Sequence, residues 1–308
     1  MNILVIVFRV GYLHYFYDYL QGVLAPSHYI VWCGFGSDTP LHEDDDGRQR
    51  ECLAILARLN RSAPVLCVNE IPLTAFAALL AAAHKRDDLW LFVSEQATIA
   101  SVRALNANNA RRFPWLYFLH YAGANQRLFF DYAVGRRQRN ILLPYQPCDV
   151  GEYAAYWNHS KRHDVAFVGT RSARRTSVIE RLRQRRLDVV VIEKFGVERN
   201  ALIAASRFLV NVHFSEEYRV LESLRCVLAA SLGTDVLSET SVPQPLHGLE
   251  NTFAFAAYDD LVELVVERVR TYNAQSASRR RLQQLLTHYS AREATHCTPG
   301  FTLRDLAN

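Results

Sequence analysis

Lysine is scarce in this chain of 308 residues: Lys85, Lys161 and Lys194 are the only three among 35 basic residues, and the other 32 are arginine. Arginine favours bidentate contact with phosphate, yet a bias this uniform fits a GC-rich coding sequence better and singles out no ligand. Paired cysteines are also missing. Cys33, Cys52, Cys67, Cys148, Cys226 and Cys297 form no C-x-x-C, and several fall in apolar strand or helix patterns. That argues against a zinc framework or a disulfide scaffold and fits buried thiols in a reducing compartment. No window approaches the roughly 18 consecutive apolar residues of a spanning helix, and the opening MNILVIVF lacks the basic flank of a signal peptide. A cytoplasmic protein is expected, with peripheral contact at a membrane surface left open. A Walker lysine loop, a G-x-S-x-G elbow and an H-E-x-x-H pair are absent as well, so hydrolase and kinase readings lack their starting residues.

What is present is an ordinary globular composition, 50% apolar and 21% charged with a formal net charge of +4. The length exceeds one hydrophobic core and predicts two domains of about 150 residues. Strand and helix patterns alternate from the first residues, the signature of parallel sheets covered on both faces. In the first half the expected strands are Asn2–Phe8, His28–Cys33, Val65–Asn69, Leu89–Ser94, Trp115–His120 and Asn140–Leu143. Helices are expected at Leu13–Leu24, Arg48–Leu59, Thr74–Lys85 and Ala97–Arg111. Pro144 and Pro147 then interrupt regular structure, which places a boundary between domains 1–146 and 147–308. The second half repeats the alternation, with strands at Asp164–Gly169, Val189–Ile192, Phe208–Phe214, Asp235–Glu239 and Thr252–Ala256. Its helices are expected at Arg174–Arg185, Glu198–Ser206, from Tyr218 to Gly233, at Asp259–Tyr272 and at Ala277–Tyr289.

The densest signal is Arg207–Glu239, RFLVNVHFSEEYRVLESLRCVLAASLGTDVLSE. An apolar strand leads through a polar turn into apolar positions at helical spacing (Val220, Leu221, Leu224, Val227, Leu228). Gly233 ends the helix and a second strand follows. In such a unit the helix start faces the crevice beyond the strand ends, where an anion sits. Arg219 is expected on the first turn with Glu222 three residues on, so both would share a helical face. A guanidinium for a diphosphate and a carboxylate for ribose hydroxyls is what a nucleotide-sugar donor needs. An ordinary surface ion pair is the competing explanation for an isolated R-x-x-E.

This segment, Arg219-Val-Leu-Glu222-Ser-Leu with Ala229-Ala-Ser-Leu-Gly233 and Asp235-Val-Leu-Ser-Glu239, resembles the donor-binding part of GT-B glycosyltransferases. There a helix carrying R-x-x-E-A-L-A-x-G precedes a short strand ending in Ser-Asp or Ser-Glu. The resemblance implies an α/β fold of two Rossmann-like domains facing a cleft, with acceptor on the first and donor on the second. It implies that Glu222 meets the donor ribose, and that Glu217, Tyr218 and Arg219 meet the diphosphate. The position eight before Glu222 is Phe214 rather than the glutamate of many retaining members, so stereochemistry stays open. Phe167-Val-Gly169-Thr-Arg171-Ser-Ala-Arg174-Arg175 lies where relatives carry a glycine turn and basic residues. Gly169 would allow close backbone approach, Ser172 would cap the helix, and Arg171, in the turn itself, is the arginine expected at the phosphates.

At the carboxyl ends of first-domain strands, His120 and Glu95 are candidate bases for an acceptor hydroxyl, with His14 a third after strand one. The acidic run His42–Asp46 has no apolar strand to hold it and reads as a solvated loop, so no metal is expected, and the only co-substrate expected is a nucleoside diphosphate sugar. Gly34-Phe-Gly36 is a weak dinucleotide signal, and Lys194 reads as a loop lysine. Basic clusters at Arg136–Arg139, Arg181–Arg186 and Arg279–Arg281 read first as solvated faces. The expected activity is metal-independent sugar transfer to an acceptor hydroxyl. The acceptor stays open among a glycan, a lipid-linked group and a nucleic acid, and so does the oligomeric state. A non-catalytic nucleotide-sugar-binding protein, a nucleic-acid-modifying transferase and a nucleotide-sugar epimerase are the rival readings.

Overall fold

In a computed structural model, residues 3–7, 28–32, 65–68, 89–93, 96–113, 116–120, 122–132, 140–142, 155–194, 196–243 and 250–273 are described. Short runs of apolar residues, several β-branched, form the strands. β1 (Ile3–Val7), β2 (His28–Trp32), β3 (Val65–Val68), β4 (Leu89–Val93), β5 (Tyr117–His120) and β6 (Asn140–Leu142) make one parallel sheet in the order β2-β1-β3-β4-β5-β6. Leu4 lies opposite Tyr29 on one side and Val65 on the other, which fixes the register around β1. Leu91 and Phe118, register partners in β4 and β5, are fully buried.

Two helices accompany the described part of this sheet. Helix α1 (Ala100–Arg112) follows β4, and α2 (Gly123–Tyr132) follows β5. The turn that leads into α1 is tied to α2 through Asn125, whose Oδ1 accepts the Ala97 N–H at 2.6 Å. The sequence reading anticipated α1 and assigned no helix to 123–132, where a glycine start and mixed polar and aromatic residues give a weak period. The expected helices at 13–24, 48–59, 74–85 and 277–289 lie outside the described residues, as do His14, Glu95, the 42–46 acidic run, Gly34–Gly36 and the Pro144–Pro147 boundary.

The second sheet has the order β11-β10-β9-β7-β8, again parallel, from β7 (His163–Val168), β8 (Val189–Ile192), β9 (Ser206–Asn211), β10 (Asp235–Glu239) and β11 (Phe253–Ala256). Val165 of β7 pairs with Val189 of β8 and with Phe208 of β9. Alternation sends Val165, Phe167, Phe208 and Val210 into one core. There they meet Val178, Ile179 and Leu182 of α3 (Ala173–Gln184) and Leu261, Val265, Val266 and Val269 of α6 (Leu261–Arg270). Helices α4 (Gly196–Ala204) and α5 (Ser223–Ser231) pack on one another and on β9. Both sheet faces are thus covered, which is why the strands read as continuous apolar runs.

The helix ends follow local chemistry. Ser172 caps α3 as expected, its hydroxyl accepting the Arg175 N–H at 3.3 Å. Gly233 takes a left-handed φ of 76° after α5. Its N–H reaches Ala230 O and the Thr234 N–H reaches Ala229 O, a Schellman ending. Lys161 closes the opposite end of the sheet: its ammonium donates to Ala204 O, Gly233 O and Thr234 Oγ1 at 2.7, 2.9 and 3.1 Å.

One expectation is corrected. The helix expected from Tyr218 begins at Ser223, and residues 214–222 form a bend and turn. Val220 and Leu221 are both buried at 1% exposure although adjacent. They plug the loop into the body instead of lining a helical stripe, so Arg219 is not on a helical turn and shares no helix face with Glu222. The chain divides into two compact units, Met1–Gln146 with Thr298–Asn308, and Pro147–Cys297.

Candidate functional site

In the second sheet the chain runs from β7 outward to β8, then returns to β9 on the other flank of β7. The carboxyl ends of β7 and β9 therefore flank a topological switch point, where open α/β sheets form a ligand crevice. The residues gathered there are charged.

Arg175, on the first turn of α3, is buried among hydrogen-bond acceptors from three segments. Its Nε donates to Val212 O at 2.8 Å, Nη1 to Thr170 O at 2.8 Å and Nη2 to Glu222 Oε1 at 2.6 Å. Arg225, on the first turn of α5, donates to Val168 O at the end of β7 and pairs with the other oxygen, Glu222 Oε2. Glu222 therefore lies between two guanidiniums. The Arg175 and Arg225 side chains are only 4% and 2% exposed, against 22% for Glu222, so it is the carboxylate that meets solvent. Although Glu222 is the N-cap residue of α5, its side chain makes no cap hydrogen bond. Ser223 Oγ, buried at the first position of that helix, has no hydrogen-bond partner.

Gly169 makes this packing possible. Its φ is +123°, and a Cβ there would stand 2.5 Å from Arg225 Nη1 and 3.5 Å from Arg175 Nη1.

Beside this pair is a second ionic group. Arg174 pairs with Glu239 at the end of β10, and its guanidinium lies 3.5 Å from the centre of the Tyr258 ring. Glu239 Oε2 accepts the His213 N–H at 3.1 Å, joining the ends of β9 and β10. The His213 Nε2 lies 3.2 Å from Thr240 O, which only accepts, and 3.2 Å from Ser241 Oγ, which can donate or accept. Burial pushes the His213 pKa below its ordinary 6.5; the Arg174 and Arg175 charges act the same way, against the Glu239 charge and the Thr240 bond. The folded state thus takes up this proton later than the unfolded chain does. The contribution of His213 to stability is therefore complete above pH 6.5 and is lost as pH falls from there towards the folded-state pKa. Urea unfolding between pH 8 and 5 is expected to show this decline, with a shallower slope in His213→Gln; equal slopes would remove His213 as its source.

Three guanidiniums, Arg174, Arg175 and Arg225, face three carboxylates, Glu222, Glu239 and the exposed Glu216, which lies 3.9 Å from Arg174, so the charges of the group balance. The arginine favoured from sequence, Arg171, is exposed and pairs with Glu193 at 3.0 Å. Arg219 is exposed; its Nε lies 3.4 Å from Glu216 O, and its own carbonyl accepts the Val242 N–H. Glu217 is exposed in the turn, and Tyr218 is half-buried with its ring 5.6 Å from that of Phe214. Lys194 is exposed, 3.4 Å from Glu198. In the other unit, His120 is fully buried at the end of β5. Gly169 and Glu222 are brought together through Arg225, which the sequence reading did not select. The available signal was a lone charge in an otherwise neutral helix, SLRCVLAAS. Counting back from the capping Gly233, the R-x-x-E-A-L-A-x-G spacing falls on Arg225 to Gly233, with Leu228 at the glutamate position. Glu222 reaches the crevice from the preceding loop.

Among the described residues, no group of three or more His, Cys, Asp or Glu side chains is arranged to hold a metal ion, and no helix is long and apolar enough to cross a membrane. The Cys226 thiol, fully buried, has its pKa pushed up to about 12 by burial, which leaves it unreactive.

The fold is that of the GT-B glycosyltransferases. The UDP-forming alpha,alpha-trehalose-phosphate synthase from Burkholderia xenovorans is similar over 100% of this chain and 99% of its own, with a TM-score of 0.58 at 12% identity. The alpha,alpha-trehalose 6-phosphate synthase from Burkholderia multivorans is similar over 99% and 98%, with a TM-score of 0.58 at 11% identity. At such identities the likeness is one of fold. No protein-family model matches the chain. By sequence it is similar to two proteins of Acanthamoeba polyphaga mimivirus: uncharacterized protein L140, 32% identical over 142 residues, and uncharacterized protein L138, 29% identical over 168 residues. Those matches cover 43% and 52% of this chain and span 46% of L140 and 18% of L138, less than half of either relative.

Proposed function

We propose that this protein is a glycosyltransferase that moves a sugar from a nucleoside diphosphate sugar to an acceptor hydroxyl, with no requirement for a metal ion. The reading rests on one observation. The switch-point crevice of the second sheet is floored by the guanidiniums of Arg175 and Arg225, which share the single carboxylate of Glu222, and adjoins the start of α5, a combination suited to a diphosphate. In this reading the diphosphate lies over Gly169 and the first turn of α5, with Arg171, Arg219, Tyr218 and Glu217 on its rim. Glu222 accepts hydrogen bonds from the ribose hydroxyls. The fixed positive charge stabilises the diphosphate as it leaves, the role a divalent cation has in other transferases. Residues 1–146 carry the acceptor and 147–308 the donor. An inverting reaction would also need a base, for which His120, Glu95 and His14 are the candidates. The likeness to a UDP-forming synthase supports a nucleotide-sugar donor at the level of fold.

A ligand that binds only the folded state raises its melting temperature. With UDP, GDP, ADP, CDP and dTDP, each with and without magnesium, one nucleotide is expected to stabilise the protein selectively and to the same extent in both conditions. No shift with any of the five would sink the proposal, and a shift that needs magnesium would overturn the metal-independent part.

A further inference from the structure

The guanidiniums of the crevice are not what an incoming ligand meets first. Arg175 and Arg225 are almost fully buried behind Glu222, whose carboxylate is the exposed member of the trio. Each Glu222 oxygen already receives one guanidinium, and the carboxylate does not turn back to cap α5. Its remaining lone pairs face outward and only accept hydrogen bonds. An inorganic phosphate approaching this floor sets its own charge against that exposed carboxylate and can offer it only the P–OH of a protonated form. A phosphorylated ligand that also carries neutral hydroxyls meets the same carboxylate with donors. Beside it, at the first position of α5, Ser223 Oγ is buried with no hydrogen-bond partner.

We infer that Glu222 is a specificity-determining residue that excludes inorganic phosphate and pyrophosphate from the crevice while admitting phosphate esters of polyols. This rests on the proposed donor site and adds a selectivity to it. Exclusion matters for a site built of arginines, because free phosphates compete for any open guanidinium floor.

The test is calorimetric titration of wild type, Glu222→Gln and Glu222→Asp with pyrophosphate and with the five nucleoside diphosphates. Removing a unit charge a few ångströms from a bound anion is expected to raise pyrophosphate affinity at least about tenfold in Glu222→Gln. Glu222→Asp, which keeps the charge, is expected to exclude pyrophosphate as wild type does. Equal pyrophosphate affinity in wild type and Glu222→Gln overturns the inference. If Glu222→Gln does not fold, wild type alone decides: ribose 5-phosphate is expected to bind at least about tenfold more tightly than orthophosphate, and equal binding overturns the inference. Failure of every nucleotide to bind wild type would remove the proposed donor site, while the pyrophosphate comparison would still decide for or against exclusion by Glu222.

Discussion

Arg175→Ala is expected to lower stability by about 3–5 kcal/mol, the range for removing one partner of a buried ion pair, and to abolish nucleotide binding. The size follows from the three acceptors that this one side chain serves. Val212 O lies just past β9, Thr170 O is in the turn after β7, and Glu222 Oε1 belongs to the α5 N-cap. Alanine would leave two carbonyls without this donor at the point where the strands diverge, and would leave Glu222 to Arg225 alone. Arg175→Lys keeps the charge, but a single ammonium on a flexible stem does not match the planar fork that reaches all three acceptors, so most of the loss should remain. Urea unfolding of the three proteins measures this. A loss below about 1 kcal/mol for alanine would mean the trio is a surface-like pair of little consequence.

Gly169→Ala is the second large effect, and it separates backbone strain from crowding. At φ +123° an alanine is strained by about 1–3 kcal/mol. The new methyl would also force Arg225 away from Val168 O, breaking a charged hydrogen bond worth about 1.5–3 kcal/mol. Gly196 is the control: its φ is also positive, at 60°, but a Cβ there meets nothing within 4 Å. Gly196→Ala is therefore expected to cost about 1–2 kcal/mol from handedness alone. Equal losses at the two positions would show that Arg225 does not depend on the space Gly169 leaves. A further loss of nucleotide affinity only at position 169 would tie that space to the crevice.

The strands were legible because each is a short apolar run between polar turns. Val189–Ile192 and Asp235–Glu239 match their expected bounds, and the others differ by a few residues at the ends. The helix start at 218 was misread because Val220, Leu221 and Leu224 satisfy helical spacing whether or not the backbone is helical. Adjacent burial of Val220 and Leu221 is a tertiary fact that a period cannot express. The candidate site was legible in part. Gly169 and Glu222 were found, since a glycine turn after a strand and an acid before a helix carry local meaning. Arg175 was seen beside Arg171, which was preferred for its place in the turn, and Arg225 was not selected. An arginine drawn inward by backbone carbonyls and a carboxylate from other segments looks, in sequence, like one facing water. His213 escaped notice for the same reason, as its partners Glu239 and Thr240 arrive from the next strand.

The rarity of lysine gives one packing detail a practical meaning. All three hydrogens of the Lys161 ammonium are committed within the second unit, whereas Lys194 stands 64% exposed in the loop after β8. An ammonium whose three hydrogens are all held by acceptors is not presented as a nucleophile to an acylating reagent. Amine-directed dyes, crosslinkers and immobilisation chemistries will therefore react with this unit at Lys194 while it is folded, and at Lys161 only once it opens, so the two lysines together report in one digest both the labelling dose and the fraction of molecules that have lost their structure.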